Sequence, residues 1–186
     1  QGADIINISL SRNSKSWPKS WDSAFSYAFE NDVIVVAASG NRLGEQSNPS
    51  APATMPGVVA VGGVSKELVG AEFASTTGIS LAVTAPAEDL IGSYPGGQVR
   101  QWDGSSAAAP LVSGLLALML EADPSASAND LIQRLIASSS DLGEPGFDAV
   151  YGFGVIDPEA AVESKLTSQQ NPLGSLAEWV RLYRPG

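Results

Sequence analysis

The chain has no histidine and no cysteine among its 186 residues. Without cysteine there can be no disulfide and no thiolate nucleophile. Without either residue type, zinc loses its preferred soft and imidazole ligands. Basic residues are scarce as well: ten Lys and Arg stand against twenty Asp and Glu, a formal net charge of −10. That field repels nucleic acid and anionic membrane surfaces and suits a soluble, secreted protein. No apolar run reaches the roughly 18 residues that a membrane helix needs, so no membrane segment is expected. Hydrophobic residues make up 44% and charged residues 16%, which argues against disorder and for one ordinary domain with a buried core. Neither an initiator Met nor a charged-then-apolar leader precedes Ile5, and a fragment of a longer protein is therefore expected.

Short β-branched and apolar runs alternate with helical periodicity. Asp4 to Ser9 reads as a buried strand, and Trp21, Phe25, Ala28 and Phe29 then fall at helical spacing. Val33 to Ala38 is apolar without alternation, the pattern of a strand covered on both faces in a parallel sheet. Val58 to Val61 and Ile79 to Thr84 are read the same way. Arg42 to Pro56, rich in Ser, Asn, Pro and Gly, is expected to be a long surface loop. From Ser106 to Glu121, Leu111, Leu115, Leu118 and Met119 share a face that Leu116 and Leu120 broaden, which predicts a helix buried nearly all round. Ser127 and Asp130 form a capping box for the next helix, and Asp157 with Pro158 opens a last short one. The predicted fold class is α/β, a mainly parallel sheet flanked by helices, with ligands bound beyond the carboxyl ends of the strands. Residues 1–163 are assigned to this unit, and 164–186 to a C-terminal tail or extension.

Residues 103 to 114 read DGSSAAAPLVSG. They fit either a flexible small-residue joint or a tight turn that seats a serine at a helix start. The apolar run that follows favours the turn. Ala107, Ala108 and Ala109 allow close packing there, and Pro110 is tolerated early in a helix. A serine so placed lies at the positive end of the helix dipole beside free backbone N–H groups, which suits an attacking oxygen and the anion it creates. Ala38-Ser-Gly-Asn41 closes the Val33 strand and, alone, reads as an ordinary turn. Glu45, Glu88, Asp89 and Asp103 read as solvated charge, Gly62-Gly63 and Gly96-Gly97 as turns, and Trp17, Trp21 and Trp102 as packing residues.

Taken in order, these segments resemble the subtilisin-like serine proteases, the subtilases. Gly2 to Leu10 resembles the substrate-flanking strand, Val35 to Asn41 the strand ending in the oxyanion asparagine, and Val58 to Gly62 with Phe73-Ala-Ser75 the segments that follow. Gly104-Ser-Ser-Ala-Ala-Ala-Pro110 resembles the nucleophile motif Gly-Thr-Ser-Met-Ala-Ser/Thr-Pro, and Tyr151 to Asp157 the closing Gly-x-Gly segment. The resemblance spans roughly residues 2 to 163 and implies a serine endopeptidase with Ser106 as nucleophile and Asn41 as oxyanion donor. It further implies a substrate cleft lined by Ser9, Leu10 and Ser11 and by Ala38, Ser39 and Gly40, with Ser50 near the base of the first pocket and Ser105 beside the nucleophile. In the family the acid and the histidine precede the serine, so the base would lie upstream of this sequence.

The departures are specific. Ser105 stands for Thr, Ala107 for Met, and Ser11-Arg12 where glycines are common. Ser80 and Ala82 replace cation-binding acids, so no metal is implied there, and no cofactor is implied anywhere. A polypeptide substrate, an extracellular or cell-surface location, and association with a missing N-terminal half or with a second copy complete the expectations. A non-catalytic relative that binds peptide or a partner protein is the alternative.

Overall fold

The computed structural model describes residues 2–42, 47–71 and 75–184. Glu45, Phe73 and Ala74, named above, lie outside the described residues. Four strands, β1 (Ile5–Ile8), β2 (Ile34–Ala38), β3 (Val59–Val64) and β4 (Val83–Pro86), pair in parallel in the order β1-β2-β3-β4. The alternation of side chains along a strand divides the core between the two faces of the sheet. Ile34, Val36 and Ala38 point to one face with Val59 and Val61. Val35 and Ala37 point to the other with Ala60. Helix α1 (Lys19–Glu30) connects β1 to β2 and covers the second face, where Trp17 and Ala28 are buried.

Helix α2 (Ser105–Ala122) packs against all four strands on the first face, backed by α3 (Ala128–Ser138) and α4 (Pro158–Glu163). Its 18 residues have a mean hydropathy of 1.5, enough by length and composition to cross a membrane. Here it is the central helix of the core, with Ala108, Ala109, Val112, Leu115, Leu116 and Met119 buried. It is not buried all round as the leucine pattern suggests: Leu111 is 40% and Leu118 57% exposed. The buried stripe combines the small Ala108, Ala109 and Val112, which permit close approach, with Leu115, Leu116 and Met119.

Other expectations are corrected in the same physical terms. The segment from Ile79 is a turn before it is a strand, and Ile79 itself is 87% exposed. Gly62 and Gly63 lie inside β3, where a Cβ on Gly62 would sit tightly at 3.0 Å from Ser75 Oγ. The stretch that ends at Pro56 is not a plain surface loop: Pro49, Ser50, Ala51, Pro52 and Ala53 are buried and form part of the wall behind the sheet's carboxyl end. The hairpin of β5 (Leu90–Tyr94) and β6 (Gln98–Trp102) was not foreseen, although Tyr94-Pro-Gly-Gly carries its turn signal.

Residues 164–184 run back over α1. Helix α5 (Leu176–Tyr183) is capped by Ser175 and sets Leu176 into the second core, while Trp179 meets Trp17 with ring centroids 4.6 Å apart. Arg184 closes this segment. Its guanidinium donates to Asp22 Oδ2 at 2.8 Å and to the Trp17 carbonyl at 2.7 Å. The other Asp22 oxygen accepts from the Trp17 indole at 2.7 Å, so both carboxylate oxygens of this largely buried pair have a donor.

Candidate active site

At the carboxyl end of β2 the chain continues through Ser39 to Gly40, whose φ of 109° only glycine adopts readily. Gly40 N–H donates to Ser105 Oγ at 3.1 Å. The same hydroxyl donates to Asn41 Oδ1 at 2.9 Å, and the Ser105 N–H reaches that oxygen at 3.0 Å. Two donors therefore fix the Asn41 carbonyl oxygen. Its amide nitrogen is left as a donor with no acceptor among the described residues. Gly104, at φ 100°, completes the arrangement: a Cβ there would sit 2.6 Å from Asn41 Nδ2.

Ser106 is the second residue of α2 and is exposed, with a backbone N–H that has no helical acceptor. Its Oγ donates to the Ser9 carbonyl at 3.3 Å, and Ser9 Oγ donates to the Ser106 carbonyl at 2.8 Å. The second bond explains Pro110. That residue is well inside the helix, not among its orphan first N–H groups, and its missing N–H frees the Ser106 carbonyl. Ser9 Oγ donates to that vacant acceptor and so ties the turn at Ser106 to the end of β1. The link continues along the strand, Asn7 Nδ2 to Ser9 Oγ at 3.0 Å and Ser113 Oγ to Asn7 Oδ1 at 3.0 Å.

Ser106, Asn41, Gly40, Ala38, Leu10 and Ser11 line one cavity of about 350 Å³, joined by Asn13. Ser9 and Ser105 hold it from behind. Ser39 and Ser50 are buried and do not face it; the Ser50 N–H donates to the Ser39 carbonyl at 3.1 Å. Ala51 N–H donates to the Ser14 carbonyl at 2.7 Å, and Arg12 N–H to the Ala51 carbonyl at 3.1 Å, which attaches the Leu10–Ser14 lip to the same wall. Asn13, at φ 57°, was missed by sequence reasoning; a polar residue beside Arg12 carries no signal until the lip is folded.

A serine hydroxyl at a helix start, free N–H donors beside it and an asparagine fixed by its oxygen form a site for an attacking oxygen and a developing oxyanion. The subtilase family model matches residues 1–154. The chain belongs to the subtilase family. It is similar to subtilisin DY from Bacillus licheniformis, 35% identical over 164 residues, which are 87% of this chain and 58% of that protein. It is 33% identical to the minor extracellular protease Epr of Bacillus subtilis over 84% of this chain and 24% of that one. Among solved structures, fervidolysin from Fervidobacterium pennivorans, a keratinolytic enzyme, superposes with a TM-score of 0.79 at 26% identity, over 90% of this chain and 28% of that one. The S218A mutant of the PatA protease domain gives 0.77 at 28%, over 86% and 58%. This subtilase chain thus spans little more than half the length of subtilisin DY.

Ser105 gives the site a direct test. Ser105→Ala strands the buried Gly40 N–H and removes one of the two donors that hold Asn41 Oδ1, leaving only the Ser105 N–H on it, so a loss of about 1–3 kcal/mol is expected in denaturant titration. Ser105→Thr, which keeps the hydroxyl, should lose less than half of that.

Proposed function

We propose that this chain is part of a subtilisin-like serine endopeptidase, with Ser106 as nucleophile and Asn41 with the Ser106 N–H as the oxyanion hole. The observation that carries the reading is the convergence of Ser106 and the oxygen-fixed Asn41 on one cavity. An extended polypeptide would lie between Ser9-Leu10-Ser11 and Ala38-Ser39-Gly40, adding its backbone bonds to theirs. Ser106 Oγ attacks the scissile carbonyl, its proton passes to a base, and the carbonyl oxygen, now anionic, is received by the two N–H donors. The chain has no histidine, so the base comes from polypeptide outside this sequence.

That polypeptide has a place to dock. β1 is an edge strand, and its Ile6 is exposed. An unprotected edge of this kind pairs with an added strand, supplied by the upstream half of the domain or by a second copy. A secreted or cell-surface location goes with the reading. The rival, a subtilase relative that binds peptide without cleaving it, is favoured by the missing histidine alone.

The test is to supply the segment that carries Asp and His, as one chain or by mixing, and to follow complex formation by light scattering together with peptide hydrolysis. Asn41→Ala should then lower kcat by about 10² to 10³-fold with KM nearly unchanged, the loss known for the asparagine in subtilisin. An unchanged kcat would place the oxyanion hole elsewhere. A complex that forms but hydrolyses nothing would favour the rival.

A further inference from the structure

Arg42 follows Asn41 directly, yet it does not line the Ser106 cavity. It lines a separate cavity of about 260 Å³, walled by Gly63, Gly70, Ala71, Ser75, Thr77 and Val150. One guanidinium nitrogen donates to Thr77 Oγ1 at 3.2 Å. Its Nε is shut off from solvent and has no hydrogen-bond partner, and no carboxylate pairs with Arg42 among the described residues. A guanidinium carries a positive charge, and a buried N–H of such a group left without an acceptor is costly. Thr77, having accepted from Arg42, still has its own hydroxyl proton to give. The cavity therefore offers a planar fork of N–H groups and one O–H, with no negative group supplied by the described walls.

We propose that this cavity is a carboxylate-binding site. The fork of a guanidinium matches the two oxygens of a carboxylate, and a bond between the two charges is stronger than one between neutral groups. The site is mechanically joined to the cleft: Thr76 N–H donates to the Gly40 carbonyl at 2.9 Å, and Ser75 Oγ to the Thr76 carbonyl at 3.0 Å. A carboxylate held by Arg42 and Thr77 thus sits one residue from Asn41 and braces the backbone that presents it. The ligand is either a free small carboxylate or the acidic side chain of a polypeptide lying near the cleft. The inference does not depend on the role of Ser106.

Titration of the chain with sodium acetate against sodium chloride at constant ionic strength tests it, read on the Nε–H resonance of Arg42 and on the melting temperature. Saturable movement of that resonance by acetate and not by chloride is expected. Arg42→Gln should weaken acetate binding by about tenfold or more. The wild-type resonance keeps the test independent of whether that variant folds. A short peptide containing Asp, compared with its Asn counterpart, separates the sources. If the Asp peptide alone outbinds acetate, the ligand is a polypeptide side chain; if neither peptide does, it is a free carboxylate, and both results support the site. No saturable shift, an equal response to chloride, or binding that survives Arg42→Gln would overturn it. So would acetate binding that appears only after Glu45→Gln and Glu72→Gln, because the cavity would then be the seat of an internal ion pair.

Discussion

Incubated with a peptide substrate, the chain by itself is expected to hydrolyse nothing at a useful rate, and a fluorophosphonate should label Ser106 only slowly. The reason lies at the hydroxyl. Ser106 Oγ points its proton at the Ser9 carbonyl, 3.3 Å away, and a carbonyl oxygen cannot remove it. A serine without a general base stays protonated and weakly nucleophilic at neutral pH. In subtilisin, loss of the histidine alone costs about 10⁶-fold in kcat, while the oxyanion hole and binding retain about 10³ to 10⁴-fold over water. Supplying the Asp- and His-bearing segment should therefore raise turnover by about six orders of magnitude. Rapid stoichiometric labelling of Ser106 in the isolated chain would show instead that a base exists within it, and would remove the need for any partner.

How far the sequence anticipates the molecule depends on which signal each part carries. β2 and the first half of β3 are legible because both faces are buried and every side chain is apolar, whereas Gly62-Gly63, expected as a turn, continues β3 to Val64. α3 and α4 are legible because Ser127, Asp130, Asp157 and Pro158 mark their starts, and the structure has both caps. The helix after Ser175 follows the same logic, with Glu178 three residues on and Leu176, Trp179, Val180 and Tyr183 on one face, although residues 164–186 read only as a tail. What fails is the estimate of burial for α2. Leu115, Leu116 and Met119 are core as the pattern suggests, but they share the buried face with Ala108, Ala109 and Val112, while Leu111 and Leu118 are exposed.

The site divides in the same manner. Ser106 and Asn41 are legible as motifs, because each sits in a short string of small residues at an element boundary. The supports are not legible. Nothing in the string Gly104-Ser105 reveals that one hydroxyl accepts from Gly40 and donates to Asn41, since those partners are 65 and 64 residues away. The Ser9 bond to the Ser106 carbonyl is hidden for the same reason, at a separation of 97 residues. Local sequence marks out Ser106 and Asn41, and long-range hydrogen bonds hold them in place.

The largest effect on stability is expected at Gly154, in the closing Gly-x-Gly segment. This glycine has φ 119°, and a Cβ added to it would run into the carbonyl oxygen of Ser140, with the carbonyl carbon 2.7 Å and Asp141 N 3.0 Å away. All of these are backbone atoms, which cannot swing aside as a side-chain tip can. They are also held in place: Ser140 and Val155 exchange hydrogen bonds of 2.8 and 3.0 Å, and the Thr84 N–H donates to the Gly154 carbonyl at 2.9 Å. The segment thus extends the sheet beyond β4, and moving it tears bonds from both Thr84 and Ser140. Gly154→Ala combines backbone strain with overpacking against fixed atoms, so a loss of about 4 kcal/mol or more is expected, a large part of the stability of a domain this size. Gly146→Ala is the control. Its φ is also positive, at 84°, but nothing lies within 4 Å of the added Cβ, so only the left-handed strain of about 1 kcal/mol remains. Denaturant midpoints of the two variants compared with the parent decide the matter. If Gly154→Ala unfolds within 1 kcal/mol of Gly146→Ala, the close approach to Ser140 is not what selects glycine there.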